Sequence, residues 1–119
     1  AVPQEDAFLG PIAVLVDAMS ASTSEIFAAG MQEAGRACVF GRPTMGAALP
    51  SFIRKLPNGD RLQHAIADMR TTKGRRVEGR GVIPDKKVPL QPAKLFAGQD
   101  PVLDKAMQWL QRQTNVNTP

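Results

Sequence analysis

Ile12-Ala13-Val14-Leu15-Val16 sets five apolar residues in unbroken succession, with Gly10-Pro11 in front and a loop of small residues behind. An apolar run without polar alternation reads as a strand buried on both faces, and such strands sit centrally in parallel sheets. A parallel neighbour needs a long crossover connection. The chain supplies one. After Asp17-Ala18-Met19-Ser20-Ala21-Ser22-Thr23-Ser24, the spacing of Ile26, Phe27, Gly30, Met31 and Ala34 predicts a helix from about Ser24 to Ala34. Glu25 suits its first turn and Gly35 its stop, and Ala37 to Phe40 is a second short buried strand. Strand, loop, helix, strand is a βαβ unit, and the fold class is α/β.

Beyond it the pattern changes. Gly41 to Ala48 is a loop of Gly, Pro and small residues. Ser51 to Leu56 and Arg61 to Met69 read as strands joined through Pro57-Asn58-Gly59-Asp60, and Asn-Gly is a strong hairpin signal. Lys73-Gly74 marks a turn, and Arg75 to Val82 a further extended segment ended by Pro84-Asp85. Asp100 is placed to cap a helix with Pro101 at its first position. Val102, Leu103, Ala106, Trp109 and Leu110 give that helix one apolar face, ending near Gln113. Residues 1–9 read as a connecting segment and 114–119 as a frayed tail, so 119 residues form a single domain.

Charge and composition narrow the function. Fifteen Lys and Arg against eleven Asp and Glu give +4, with the basic residues gathered at Lys73, Arg75, Arg76, Arg80, Lys86 and Lys87. No Tyr is present and no Phe or Trp lies between Phe52 and Phe96, so the charges have no stacking platform and nucleic acid is not an expected partner. Cys38 stands in an apolar run and reads as a buried structural thiol. One His and one Cys make no zinc-like ligand set, so neither metal nor cofactor is implied. No apolar stretch approaches the ~18 residues of a membrane span.

Three segments carry chemistry together. They are Val14 to Ile26 with its Ser20-Ala21-Ser22-Thr23-Ser24 core, Gly35 to Gly46 with its Gly41-Arg42-Pro43-Thr44-Met45-Gly46 loop, and Gly79-Arg80-Gly81-Val82-Ile83-Pro84-Asp85. In this order and spacing, over about two thirds of the chain from Gly10 to Asp85, they resemble the C-terminal-processing (tail-specific) serine peptidases. The resemblance implies the layered α/β/α catalytic core of that family, related to the crotonase and Clp protease folds, carrying here a β-hairpin and a C-terminal helix. It implies Ser22 as nucleophile and the N–H of Thr23 as an oxyanion donor. From the residues alone, Ser20, Ser22 and Ser24 could equally be helix caps.

The family's general base is a lysine in a Gly-Lys-Gly context, and the matching position here is Ala47, in Gly46-Ala47-Ala48. The glutamine that supports that lysine falls at Ser51. A methyl group takes no proton, and Lys55 and Lys73 lie in or beside the hairpin. Two explanations stand. A tricorn-like branch of the superfamily replaces the lysine with a histidine from an earlier region, a second serine and a glutamate before the closing segment. Glu78 matches that glutamate, its alternative being an exposed strand carboxylate, and His64 reads as a strand residue. Alternatively, the chain resembles the retinoid-binding modules of photoreceptors, which also lack the lysine and bind without cleaving. The expected partner is a peptide or unfolded protein, recognised by strand addition at a sheet edge. The resemblance further implies a periplasmic or extracellular location and a chain that is part of a larger polypeptide. It is expected to be a poor catalyst alone, and to form a homo-oligomer or swapped dimer through unpaired sheet edges.

Overall fold

A computed structural model of the chain describes residues 5–116. In chain order the elements are β1 (Ala13–Val16), α1 (Thr23–Glu33), β2 (Cys38–Gly41), β3 (Ser51–Lys55), β4 (Arg61–Ala65), β5 (Lys86–Lys87), α2 (Pro92–Phe96) and α3 (Pro101–Val116). The three-stranded sheet runs β1-β2-β5, all parallel, with Val14 opposite Val39 and Phe40 opposite both Leu15 and Lys86. The expected βαβ unit is therefore present, each edge within about two residues of its expected place.

Successive strand side chains point to opposite faces of a sheet, and that alternation builds three layers. Val16 and Val39 join Ala28 and Ala29 of α1 in a core cluster completed by Ala48, Val77 and Val82. On the other face the ring of Phe40 meets Trp109 of α3, centroids 5.7 Å apart and tilted by 59°. Ala106 of α3 is buried as well. An α/β/α sandwich results. Burial of Phe40 and Val39 contributes roughly 1.5–3 kcal/mol each.

The buried side of α1 differs from the expected face of Ile26, Phe27, Gly30, Met31 and Ala34. Glu25, Ala28 and Ala29 are fully buried, while Phe27 is 56% exposed. Two causes act together. Alanines allow the helix to lie close on the sheet, and the Glu25 carboxylate must reach backbone donors in a neighbouring loop, which sets the helix rotation.

The expected hairpin forms, with Phe52 opposite His64, but β4 ends at Ala65 rather than Met69. Its last rung is Ile66 N–H to Pro50 O, and Pro50 has no N–H to continue the ladder. Arg75 to Val82 is not a strand. Apart from a single bridge between Arg70 and Arg76 it is irregular, and Arg80 and Gly81 N–H fold back on Val77 O. The turn before it is present, with Gly74 N–H donating to Thr71 O. β5 and α2 carry no apolar period and are too short to be read from sequence.

Asp100 caps α3 as expected, its Oδ1 accepting from Val102 N–H at 2.9 Å and Leu103 N–H at 3.1 Å. The helix runs beyond Gln113 to Val116, so Thr114 and Asn115 are helical rather than frayed; the Thr114 hydroxyl donates back to Leu110 and Gln111 carbonyls. Of the expected connecting segment, residues 5–9 hold no helix or strand, and 1–4 lie outside the described residues, as do 117–119 of the tail. Arg36 ties this segment down by donating to Gly10 O at 2.8 Å and to Phe8 O. Cys38 is half-buried rather than buried; desolvation first, then the Asp85 carboxylate, pushes its thiol up.

Candidate functional site

The three segments singled out in the sequence meet at the start of α1. Asp17 ends β1 in an Asx turn: its Oδ1 accepts from Met19 N–H at 2.9 Å and Ser20 N–H at 3.0 Å. The Ser20 hydroxyl is used within this turn, bonded to Asp17. The Ser24 hydroxyl donates to Ala21 O at 2.6 Å. Of the three serines, the outer two are thus structural.

Ser22 is different. It is exposed, has φ 59° and ψ −130°, and is the one non-glycine among the described residues with positive φ. A side chain in that region costs about 1–3 kcal/mol and persists only where the surroundings impose it. Here the surroundings are evident. Its N–H donates to Ala47 O at 2.8 Å and sits 3.1 Å from Glu25 Oε2. A strained serine at a sharp strand-to-helix turn is the geometry that presents the hydroxyl of a hydrolase nucleophile elbow. Thr23 opens α1, and its N–H has no partner among the described residues, leaving a donor at the positive end of the helix.

Glu25 organises the site, and the sequence had suggested for it no more than a place in the first turn. Its buried carboxylate accepts from Ser22 N–H, Gly46 N–H at 2.7 Å, Ala47 N–H at 2.9 Å and the Thr44 hydroxyl. The available signal was the Ser22-x-x-Glu25 spacing of a capping box, whose glutamate reaches back to the cap residue. Thr44 extends the network, its Oγ1 accepting from Val82 N–H at 2.7 Å. The 44–46 loop and the 79–82 segment cross tightly. A Cβ on Gly46, at φ 76°, would lie 2.9 Å from the Arg80 and Gly81 nitrogens, and one on Gly81, at φ 69°, 2.5 Å from Thr44 O. Side chains are excluded at both positions.

Glu78 is half-buried in a turn, not on a strand, and its Oε2 accepts from Ala48 N–H at 2.6 Å. The expected Ser22 and Glu78 are thus tied to adjacent residues of one loop, Ser22 through Ala47 and Glu78 through Ala48. Asp85, closing the third segment, accepts from Val39 N–H at 2.7 Å and from Gln32 Nε2 at 2.9 Å, fixing that segment to β2 and α1. His64 is where a strand residue should be, on β4, with Nδ1 3.2 Å from Ala65 O. Lys55 stands at the turn end of β3 and Lys73 in the 71–74 turn, both exposed. A cavity of about 240 Å³ opens beside the serine, lined by Ser22, Thr23, Ile26, Ala48, Pro50 and Met69.

Among the described residues, no group of three or more His, Cys, Asp or Glu could hold a metal, and no helix is long and apolar enough to cross a membrane.

Known proteins resemble this chain in sequence and in fold. A carboxyl-terminal-processing protease of Picosynechococcus is 35% identical over 82 residues, covering 69% of this chain and 20% of the relative. The chloroplastic carboxyl-terminal-processing peptidase 2 of Arabidopsis thaliana is 35% identical over 79 residues, 66% of this chain and 15% of its own. The chain thus spans a fifth or less of the length of these two relatives. Among solved structures, the photosystem II D1 C-terminal processing protease superposes with TM-score 0.60 at 29% identity, over 66% of this chain and 20% of that one. The tricorn protease superposes with TM-score 0.75 at 25% identity, over 88% and 11%. The family model of peptidase family S41 matches residues 2–88. With that family model spanning well over half of its residues, the chain belongs to peptidase family S41.

Proposed function

We propose that the chain is the nucleophile-bearing part of a serine peptidase catalytic domain that cleaves peptides or protein C-termini. The observation that carries this is the backbone of Ser22, forced to positive φ at the start of α1 beside the Thr23 N–H, which has no partner among the described residues. In this reading Ser22 attacks the scissile carbonyl, and Thr23 N–H donates to the oxygen as negative charge develops on it. Glu78 orients the site from the Ala48 side. A serine hydroxyl needs an adjoining base. Ala47 cannot serve, and the reading assigns that task, as in the tricorn-like branch, to a histidine outside these 119 residues. The partner is then a peptide or unfolded protein, and the location periplasmic or extracellular.

One observation favours a second reading. Ala47, which the resemblance aligns with the family's lysine, accepts directly from Ser22 N–H and offers only a methyl group. A chain so equipped would be a non-catalytic ligand- or peptide-binding module of the same fold.

Treating the native-length protein with a fluorophosphonate and mapping the adduct by mass spectrometry separates the two. The peptidase reading expects modification confined to Ser22 and absent from Ser22→Ala. A well-folded protein that takes up no probe would leave only the binding module.

A further inference from the structure

A cavity of about 380 Å³ opens between β5 and α3 and shares no lining residue with the one at Ser22. Four cations line it: Lys86 and Lys87 from β5, and Lys105 and Arg112 from α3. Lys86 stands opposite Phe40, so it shares the face of the sheet on which Phe40 meets Trp109. Lys105, Gln108, Trp109 and Arg112 follow at helical spacing and form one stripe of α3. The chain between Phe52 and Phe96 holds no aromatic residue, and folding brings Trp109 to the cavity that Lys86 and Lys87 line.

Nothing in the fold answers these cations. The chain's other basic group does have partners, since Arg70, Arg75 and Arg76 pair with Asp68 and Glu33. Among the described residues, Lys86, Lys87, Lys105 and Arg112 form no ion pair. On α3 the positions three and four residues from Lys105 and Arg112 carry no carboxylate: Pro101, Val102, Gln108, Trp109, Asn115 and Val116. Asp85 is the one acid in the lining, and it is tied elsewhere. Its Oδ2 accepts from Val39 N–H at 2.7 Å and its Oδ1 from Gln32 Nε2 at 2.9 Å. Like charges converging on a concave surface focus a positive potential there.

We propose that this cavity binds a condensed phosphate, carried by a nucleotide or free. Matching four cations with carboxylates takes several acidic side chains, more than a cavity of this size holds. A chain of phosphates carries the same charge on a few atoms. Arg112 offers it a planar fork of donors and the lysines compact charges. Trp109 lies where a ring attached to the phosphates would rest. The site is independent of Ser22 as a nucleophile.

Trp109 is the sole tryptophan of the chain, so its emission reports what enters this cavity. The test titrates the full chain with tripolyphosphate at low ionic strength, without divalent cations. A saturable change is expected, with affinity at least about tenfold above that for orthophosphate. Replacing both exposed α3 cations, Lys105→Ala with Arg112→Ala, weakens binding about tenfold or more. Removing equal charge from the hairpin, Lys55→Ala with Arg61→Ala, weakens it less than about twofold. A nucleoside triphosphate that binds tighter than tripolyphosphate identifies a nucleotide with its base at Trp109. Equal binding identifies the phosphate chain alone. An emission that does not saturate, or equal weakening by the two double variants, would overturn the site, because positive charge spread over the surface would then suffice.

Discussion

At the scale of residues, the site depends on one buried carboxylate serving four donors. Glu25 is fully buried and satisfies three backbone N–H groups and the Thr44 hydroxyl, in two stretches of chain that must stay in register. Each buried donor left unpaired costs about 1–3 kcal/mol. Glu25→Ala is therefore expected to lower stability by at least about 3 kcal/mol in urea unfolding. Glu25→Gln, which keeps one acceptor oxygen but turns an NH₂ toward donors, should lie between it and the unsubstituted chain. A loss below about 1 kcal/mol for Glu25→Ala would mean that water or a shifted loop replaces the carboxylate. The serine loop was legible in the sequence because strand, small residues and helix follow in order. Which serine is special was not legible from the residues. That choice is made by φ at Ser22 and by hydroxyl bonds at Ser20 and Ser24, which depend on how the loop closes.

At the scale of elements, β1, α1 and β2 were readable because apolar runs and helical spacing record burial directly. The helix face was misread for a physical reason. Hydropathy favours Phe27 and Met31, whereas packing favours the small Ala28 and Ala29 and the tethered Glu25. The 75–82 segment was misread because it is held by backbone crossings at Gly46 and Gly81, which no periodicity records. A separate tie joins α1 to the 71–75 turn. Glu33 forms an ion pair with Arg75 at 3.3 Å. The Thr71 side chain first, then Lys73 N–H, the Thr72 hydroxyl and the charge of Arg75, hold the Glu33 carboxyl below its usual value of 4.5, against the opposing effect of burial. A lowered carboxyl pKa gives stability that is fully present above the unfolded value and is lost as pH falls through the folded one. Glu33→Gln is thus expected to unfold at lower urea than the unsubstituted chain at pH 7, with the gap closing toward pH 3. A gap independent of pH would show that the tie is not ionic.

At the scale of the whole molecule, the chain exposes more than a compact body of its size. Its radius of gyration is 17.9 Å and its extents are 65 × 43 × 24 Å, against roughly 13–14 Å for the radius of a compact 119-residue domain. Its accessible surface is 8641 Å², against roughly 6,300 Å² for a folded monomer of this mass. The β3–β4 hairpin carries part of the excess, with Phe52 and Ile53 each 55% exposed. β1 and β5, the outer strands of the sheet, carry unpaired edges among the described residues. The 119-residue chain is therefore expected to sediment faster as its concentration rises, and a sharp monomer boundary at high concentration would contradict this. The most direct test of the central claim, that Ser22 and Thr23 form a nucleophile and its oxyanion donor, is a crystal structure of the native-length protein after fluorophosphonate treatment. The prediction is phosphorus bonded to Ser22 Oγ, with a phosphoryl oxygen about 2.7–3.1 Å from Thr23 N–H. Phosphorus on another residue, or a phosphoryl oxygen turned away from Thr23, would contradict it.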